Sequence, residues 1–333
     1  MKILITGATG FIGPHIMRAF HQGGHEVYGL ARSVEKFENL KLPGACLHGS
    51  LSSAVPNQWI DELPESIDLV IHAAGLIHSF NSADFYQTNS YATKQLIHDL
   101  KNKYPRLKFI LVSSLAAVGP SLNAENMITE SQAPRPVGHY GKSKLLAESY
   151  LQEFAPKGWE TTIVRPPIIF GPGDPAFLDL FKMIKNKRII EVGKKGLHKN
   201  FSFICVHDLV DNIVQLSLKD KMDSSQTYFL SHCSVVEFQE IISTIQKLLE
   251  VDKLKTFTIP HTPLYALSFL FKTINYVFPL NIRLTPEKIT ELKYNHWVCS
   301  NHKSKKELQS VYKWNLQQTL KVTYEDYIKN NWL

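Results

Sequence analysis

Lys2-Ile3-Leu4-Ile5-Thr6-Gly7-Ala8-Thr9-Gly10-Phe11-Ile12-Gly13 follows Met1 in a chain of 333 residues. The first four form an apolar run long enough for a buried parallel strand. Three glycines follow at 7, 10 and 13, and Pro14 to Gln22 reads as a helix. Strand, glycine turn and helix together are the setting in which such a motif binds a dinucleotide. Glycine permits the sharp turn and lets backbone N–H groups approach a pyrophosphate, while the helix N-terminus adds partial positive charge. Gly7, Thr9, Gly10, Phe11, Ile12 and Gly13 are therefore the first cofactor candidates.

Outward from that turn, strand and helix patterns alternate. Glu26–Leu30, Ala45–Gly49, Ile67–His72, Lys108–Val112 and Thr161–Arg165 read as strands; Asp84–Lys101 and Tyr140–Phe154 read as helices. The alternation predicts an α/β fold with a doubly wound parallel sheet of Rossmann type. Beyond Arg165 the grammar changes, starting with the turn cluster Gly171-Pro172-Gly173-Asp174-Pro175. Residues 1–165 are expected to form the dinucleotide-binding domain, with 200–218 returning to it. Residues 166–199 and 219–333 are expected to form a smaller, discontinuous C-terminal substrate domain.

Two positions refine the cofactor. Acid is absent from 29–33, where a ribose 2′-OH would be held, and Arg32 stands there beside Ser33. A guanidinium takes a 2′-phosphate bidentately, so NADP(H) is preferred and NAD(H) remains allowed. Ala73-Ala74-Gly75 ends a strand with small residues, which lets backbone pass close to a ligand.

Tyr140 and Lys144 stand four apart on one helix face. A phenol titrates near ~10, and an ammonium beside it would lower that value and allow proton transfer to a carbonyl oxygen. Ser114, after the strand 108–112, is placed to hold the same oxygen, with Ser113 as the fallback. Ile77 and His78, just past the Ala-Ala-Gly turn, are candidate substrate contacts.

On these residues the chain resembles the extended short-chain dehydrogenase/reductases of the NAD-dependent epimerase/dehydratase group. The resemblance rests on glycines 7, 10 and 13, His72-Ala73-Ala74-Gly75, Asn89, Ser113 to Gly119, and Tyr140-x-x-x-Lys144. It continues through Arg165-Pro166, Phe170 to Asp174 and Val206-His207-Asp208. It implies Tyr140 as acid/base and Lys144 as holder of the nicotinamide ribose. It also implies Asn89 as a support for the active-site helix or cofactor, and Pro167 and Ile168 beside the nicotinamide. Gly49-Ser50 replaces the family's frequent Gly-Asp, and Val118-Gly119 replaces the Tyr-Gly of nucleotide-sugar epimerases. Lys199 stands where those epimerases place an arginine on the nucleotide diphosphate.

Ser113 to Pro120 and the tail from Trp297 to Leu308 are similar to the 3β-hydroxysteroid dehydrogenase and dihydroflavonol reductase branch. The expected function is thus NADP(H)-dependent interconversion of a ketone and a secondary alcohol on an apolar steroid-, flavonol- or lipid-like molecule. The alternative is a nucleotide-sugar 4-epimerase or dehydratase with tightly bound NAD. A redox-sensing scaffold is a third reading, against which the retained Ser114, Tyr140 and Lys144 argue.

A hydrophobic content of 44% and a net charge of +7 fit a globular protein and do not point to nucleic acid. The four cysteines, Cys46, Cys205, Cys233 and Cys299, read as free thiols in a reducing, cytoplasmic compartment. No metal-ligand spacing occurs. Residues 182–199 carry seven Lys or Arg and one acid, a solvated face or a grip on an anionic handle. Pro263 to Leu280 is apolar at helical spacing, either packed over the cleft or lying weakly on a membrane surface. A small-molecule substrate is the expected partner, and a homodimer is allowed.

Overall fold

A computed structural model describes residues 1–51, 56–219, 225–277 and 285–333. Its centre is a parallel sheet of seven strands: β1 (Lys2–Thr6), β2 (Glu26–Ala31), β3 (Ala45–His48), β4 (Leu69–His72), β5 (Lys108–Val112), β6 (Glu160–Val164) and, from far along the chain, Gln226–Tyr228. The order is β3-β2-β1-β4-β5-β6, with Gln226–Tyr228 on the far edge beside β6. Strand order reverses between β1 and β4, which opens a crevice at the carboxyl ends there.

The strands read as continuous apolar runs because both faces are covered. Ile3 and Ile5 enter one core with helices α1 (Gly13–Gln22) and Val206–Ser217. Leu4 enters the opposite core with the helices Ala92–Lys103 and His139–Phe154. Successive strand residues point to opposite faces, so one five-residue strand feeds both layers.

The remaining helices are α2 (Val34–Asn39), α3 (Ser82–Phe85), α4 (Ala92–Lys103), α5 (His139–Phe154), α6 (Leu178–Lys185), α7 (Val206–Ser217), α8 (Phe238–Leu248), α9 (His261–Val277), α10 (Pro286–Glu291), α11 (His302–Leu308) and α12 (Leu316–Lys329). The later strands are β7 (Ile168–Phe170), β8 (Arg188–Val192), β9 (Asn200–Cys205), β10 (Gln226–Tyr228), β11 (Val235–Glu237), β12 (Lys255–Ile259) and β13 (His296–Trp297). A second sheet gathers β11, β13 and β7 around β9, and β8 pairs with β12 as a two-stranded parallel ribbon. Phe170, Phe181, Phe203, Ile241, Leu320 and Tyr327 form a third core under these elements.

The division expected at 218 is corrected in two ways. Within 200–218 α7 returns to the large sheet, where it packs on α1, while β9 pairs in the second sheet and lends only Ile204 to that core. Residues 226–228, expected in the substrate domain, form the edge strand of the Rossmann sheet, and Leu308 joins the same core. The exposed flank of β6 is a row of unpaired backbone groups, and β10 satisfies it. Of the apolar stretch 263–280, the helix α9 covers residues up to Val277; Phe278 to Leu280 lie outside the described residues.

Candidate active site

The site is assembled where β1, β4, β5 and β6 end. Gly7 adopts φ +74°, and a Cβ there would come within 2.7 Å of the Ala74 backbone nitrogen. A Cβ at Gly13 would collide with the Gly7 carbonyl. The turn after β1 can lie against the Ala73-Ala74-Gly75 segment only because Gly7 is bare, and against the start of α1 only because Gly13 is. Gly10 N–H donates to the Gly7 carbonyl at 2.9 Å, and Ile12 precedes α1 without a side-chain cap. Pro14 has no N–H and His15 N–H donates to the Ile12 carbonyl, so the Gly13 N–H is the first-turn group suited to an anion, in a cradle that fits a dinucleotide diphosphate.

Helix α5 carries the candidate chemistry. Ser114 Oγ accepts from Ala116 N–H at 3.1 Å at the start of a short turn after β5, and its hydroxyl lies beside the Tyr140 phenol. Lys144, buried, donates from Nζ to the Val112 carbonyl at 2.9 Å. Ser113 instead donates to the Glu148 carboxylate and is buried. Of the two serines, Ser114 is the one brought to Tyr140.

Asn89 lies in a π-helical stretch, Tyr86–Tyr91, between α3 and α4. Its Oδ1 accepts from Leu76 N–H at 2.7 Å, and its Nδ2 donates to the Leu76 carbonyl at 3.0 Å and to Ser143 Oγ at 2.9 Å. It thereby ties the segment after Gly75 to α5. The wider helical turn aims a side chain that regular geometry would turn aside, a common use of π-bulges at functional sites. Pro167 is buried, Ile168 is half-buried, and the Pro166 carbonyl accepts from Leu115 N–H at 2.9 Å, which brings this segment beside the serine turn.

Residues 3–230 match the NAD dependent epimerase/dehydratase family. The chain belongs to that family. It is an enzyme of the extended short-chain dehydrogenase/reductase type. A ceramide reductase from Caulobacter vibrioides is 32% identical over 57% of this chain, which spans about half (53%) of that relative's length. A decarboxylating sterol-4-alpha-carboxylate 3-dehydrogenase from Dictyostelium discoideum is 25% identical over 81% of this chain and 83% of its own. The fold is shared with UDP-glucuronic acid 4-epimerase from Bacillus cereus, solved with UDP-glucuronic acid and NAD, at a TM-score of 0.77 and 22% identity over 99% of this chain and all of that one.

Within this epimerase/dehydratase frame one expectation reverses. Lys144 was expected to lower the Tyr140 phenol. Burial instead pushes Tyr140 up to about 12; the neighbouring Ser114 hydroxyl opposes the rise and Glu291 adds to it. Lys144 is itself pushed down to about 8 by burial, which Glu148 opposes. Desolvation outweighs the Ser114 contact, and the Lys144 ammonium is engaged by the Val112 carbonyl.

Other candidates fall around this centre. Arg32 is exposed just after β2, beside Ser33, whose Oγ accepts from Lys36 N–H at 3.1 Å at the start of α2. Ile77 is exposed and His78 half-buried beyond the Gly75 turn. In the basic stretch, Lys182, Lys185, Lys187, Arg188, Lys194 and Lys195 are exposed. Lys199 is buried and donates to the Leu292 carbonyl.

Three features escaped the sequence reading. Glu148 forms a buried bidentate pair with Arg165, Nε to Oε1 at 3.0 Å and Nη2 to Oε2 at 2.6 Å. Tyr140, Lys144 and Glu148 share a four-residue spacing that could have shown the acid on the same face. His72 is buried between Thr6 and Thr93, and Glu287 of α10 accepts the Tyr140 backbone N–H. Neither of these contacts has a signature in local sequence.

Proposed function

We propose that the protein is an NADP(H)-dependent oxidoreductase that interconverts a ketone and a secondary alcohol on an apolar, steroid-, flavonol- or lipid-like molecule. The observation that carries the reading is the placement of Ser114 beside Tyr140, with Lys144 one turn along the same helix. Gly7, Thr9, Gly10, Phe11, Ile12 and Gly13 would cradle the diphosphate, and Arg32 would meet a 2′-phosphate. Ala73, Ala74, Gly75, Asn89, Lys144, Pro167 and Ile168 would flank the nicotinamide end. The nicotinamide, when bound, supplies or accepts hydride at the reacting carbon. Tyr140 delivers its proton to the oxygen on that carbon, Ser114 donates a hydrogen bond to the same oxygen, and the Lys144 charge offsets the phenolate left behind. A phenol raised to about 12 keeps its proton at neutral pH, which suits reduction.

The substrate class is supported by two observations. Lys199, the position that could have gripped a sugar-nucleotide diphosphate, is buried on the Leu292 carbonyl. The names of the relatives include a ceramide reductase and a sterol carboxylate dehydrogenase, both on apolar molecules.

The test is turnover of a panel of apolar ketones with NADPH by wild type and Tyr140→Phe. The variant is expected to lose ~10²–10⁴-fold in kcat, the range of a positioned proton donor, with NADPH affinity kept within about twofold. Surviving activity removes Tyr140 from its role. Tightly retained NAD in protein purified without added cofactor would favour the epimerase reading.

A further inference from the structure

We propose that the outer face of α9, with the adjoining face of the β8–β12 ribbon, docks on an anionic lipid surface. Helix α9 turns its apolar side outward. Leu264 and Ser268 are buried and Tyr265 and Phe271 half-buried, which marks the side facing the protein. The opposite side exposes Leu267 (38%), Phe269 (47%), Leu270 (54%) and Ile274 (37%). At 3.6 residues per turn these four fall within roughly half of the helix circumference. Residues 261–277 contain no acid. An ordinary surface helix has the reverse arrangement, with its charged face in water.

The ribbon leading into α9 continues the pattern. Its register pairs Arg188 with Lys255 and Ile190 with Phe257, and in-register residues two apart share a face. Arg188 and Lys255 are exposed, as are Ile190 and Phe257; Ile189, on the other face, is buried in the third core. One face therefore presents a cationic pair and then an apolar pair. β12 ends at Ile259, α9 begins at His261, and the His261 ring lies against Gly193 at the end of β8.

An exposed apolar side without acid, next to exposed cations on a chain of net charge +7, is complementary to an anionic bilayer surface. Seventeen residues with one buried side do not span a bilayer, so α9 would lie in the interface plane. Among the described residues no helix is long and apolar enough to cross a membrane. The face is linked to the catalytic centre: α10 packs on α9, and its Glu287 accepts the Tyr140 N–H. Delivery of an apolar substrate from the bilayer rests on the function proposed above; the docking itself does not.

The experiment is flotation of the full chain with vesicles of phosphatidylcholine alone and of phosphatidylcholine with phosphatidylglycerol. Wild type is expected to float with the anionic vesicles at low salt. Phe269→Glu with Leu270→Glu should cut the bound fraction at least ~tenfold, with an unchanged melting curve and NADPH titration as the check on folding. Arg188→Glu with Lys255→Glu should abolish the preference for phosphatidylglycerol. Three results would overturn the proposal: wild type that floats with neither vesicle, the Phe269/Leu270 variant floating like wild type, and a wild-type dimer by light scattering that this variant dissolves. Flotation is read without turnover, so failure of the ketone reading leaves a separate signature in the activity assay.

Discussion

His72 has both ring nitrogens engaged. Thr93 Oγ1 donates to the Asn89 carbonyl at 2.7 Å, so it receives the Nε2 proton of His72 at 2.8 Å, and Nδ1 accepts from Thr6 Oγ1 at 2.6 Å. Thr6 Oγ1 in turn accepts from Ala74 N–H at 3.3 Å, which fixes the small-residue turn beside the glycine cradle. Burial, helped by the Lys144 charge, pushes His72 down to about 3 from its ordinary 6.5. Between those values the unfolded chain binds a proton that the folded one refuses. The stability from neutral His72 is therefore complete above pH 6.5 and lost as pH falls toward 3, at up to about 1.4 kcal/mol per pH unit. His72→Asn is expected to be less stable than wild type at pH 7, with the gap in urea midpoint narrowing by pH 4. A gap that does not change with pH would mean that the imidazole charges freely inside the fold. Arg32 is the other decisive single residue. Arg32→Asp should weaken NADPH binding by ~10–100-fold, the loss of a charge-assisted contact, and bring NADH level with it or ahead; an unchanged preference in paired titrations would refute the 2′-phosphate assignment.

The helix α5 fastens the site to the carboxyl end of the sheet. Tyr140 reaches Ser114, Lys144 reaches the end of β5, and Glu148 reaches Arg165 just after β6. The Glu148–Arg165 pair is buried at both ends, with side chains 2% and 7% exposed. Removing one partner leaves the other charge stranded, so Glu148→Gln is expected to cost about 3–5 kcal/mol in urea unfolding. Replacing both by Met should recover most of that loss, since two apolar groups leave no unpaired charge. A double variant as unstable as the single would show that the ion pair itself stabilises the fold. The Tyr140–Lys144 pair was legible because both lie on one helix. Arg165 as the partner of Glu148 was not, because that contact depends on β5 and β6 being neighbours.

At the scale of the molecule, the Rossmann sheet is closed by chain that arrives late. β10 pairs with β6, Tyr228 and Leu230 enter the α1/α7 core, and Leu308 of α11 completes it. A chain truncated after residue 218 is expected to lack the cooperative urea transition of the full protein, since it would leave the β6 edge and one side of that core open. A sharp transition in the fragment would place the stabilising contacts elsewhere. The irregular half was the least readable in sequence because its short strands pair across long separations, as β9 does with β7, β11 and β13. Its outward apolar faces were also hidden, since spacing shows that a helix has an apolar side but not which way that side turns.

The sequence by itself determined what is local: the glycine turn after β1, the alternation of apolar strands with helices, and the spacing of Tyr140 and Lys144. Backbone freedom, strand and helix periodicity and i,i+4 geometry act within a few residues, so they can be read without knowing the rest. Only the tertiary structure decided which serine meets Tyr140 and that Lys199 is buried on Leu292. It alone also showed that burial raises the phenol, and that α9 turns its apolar side to solvent. Each of these depends on desolvation or on contact between segments far apart in the chain, and neither is encoded at any single position.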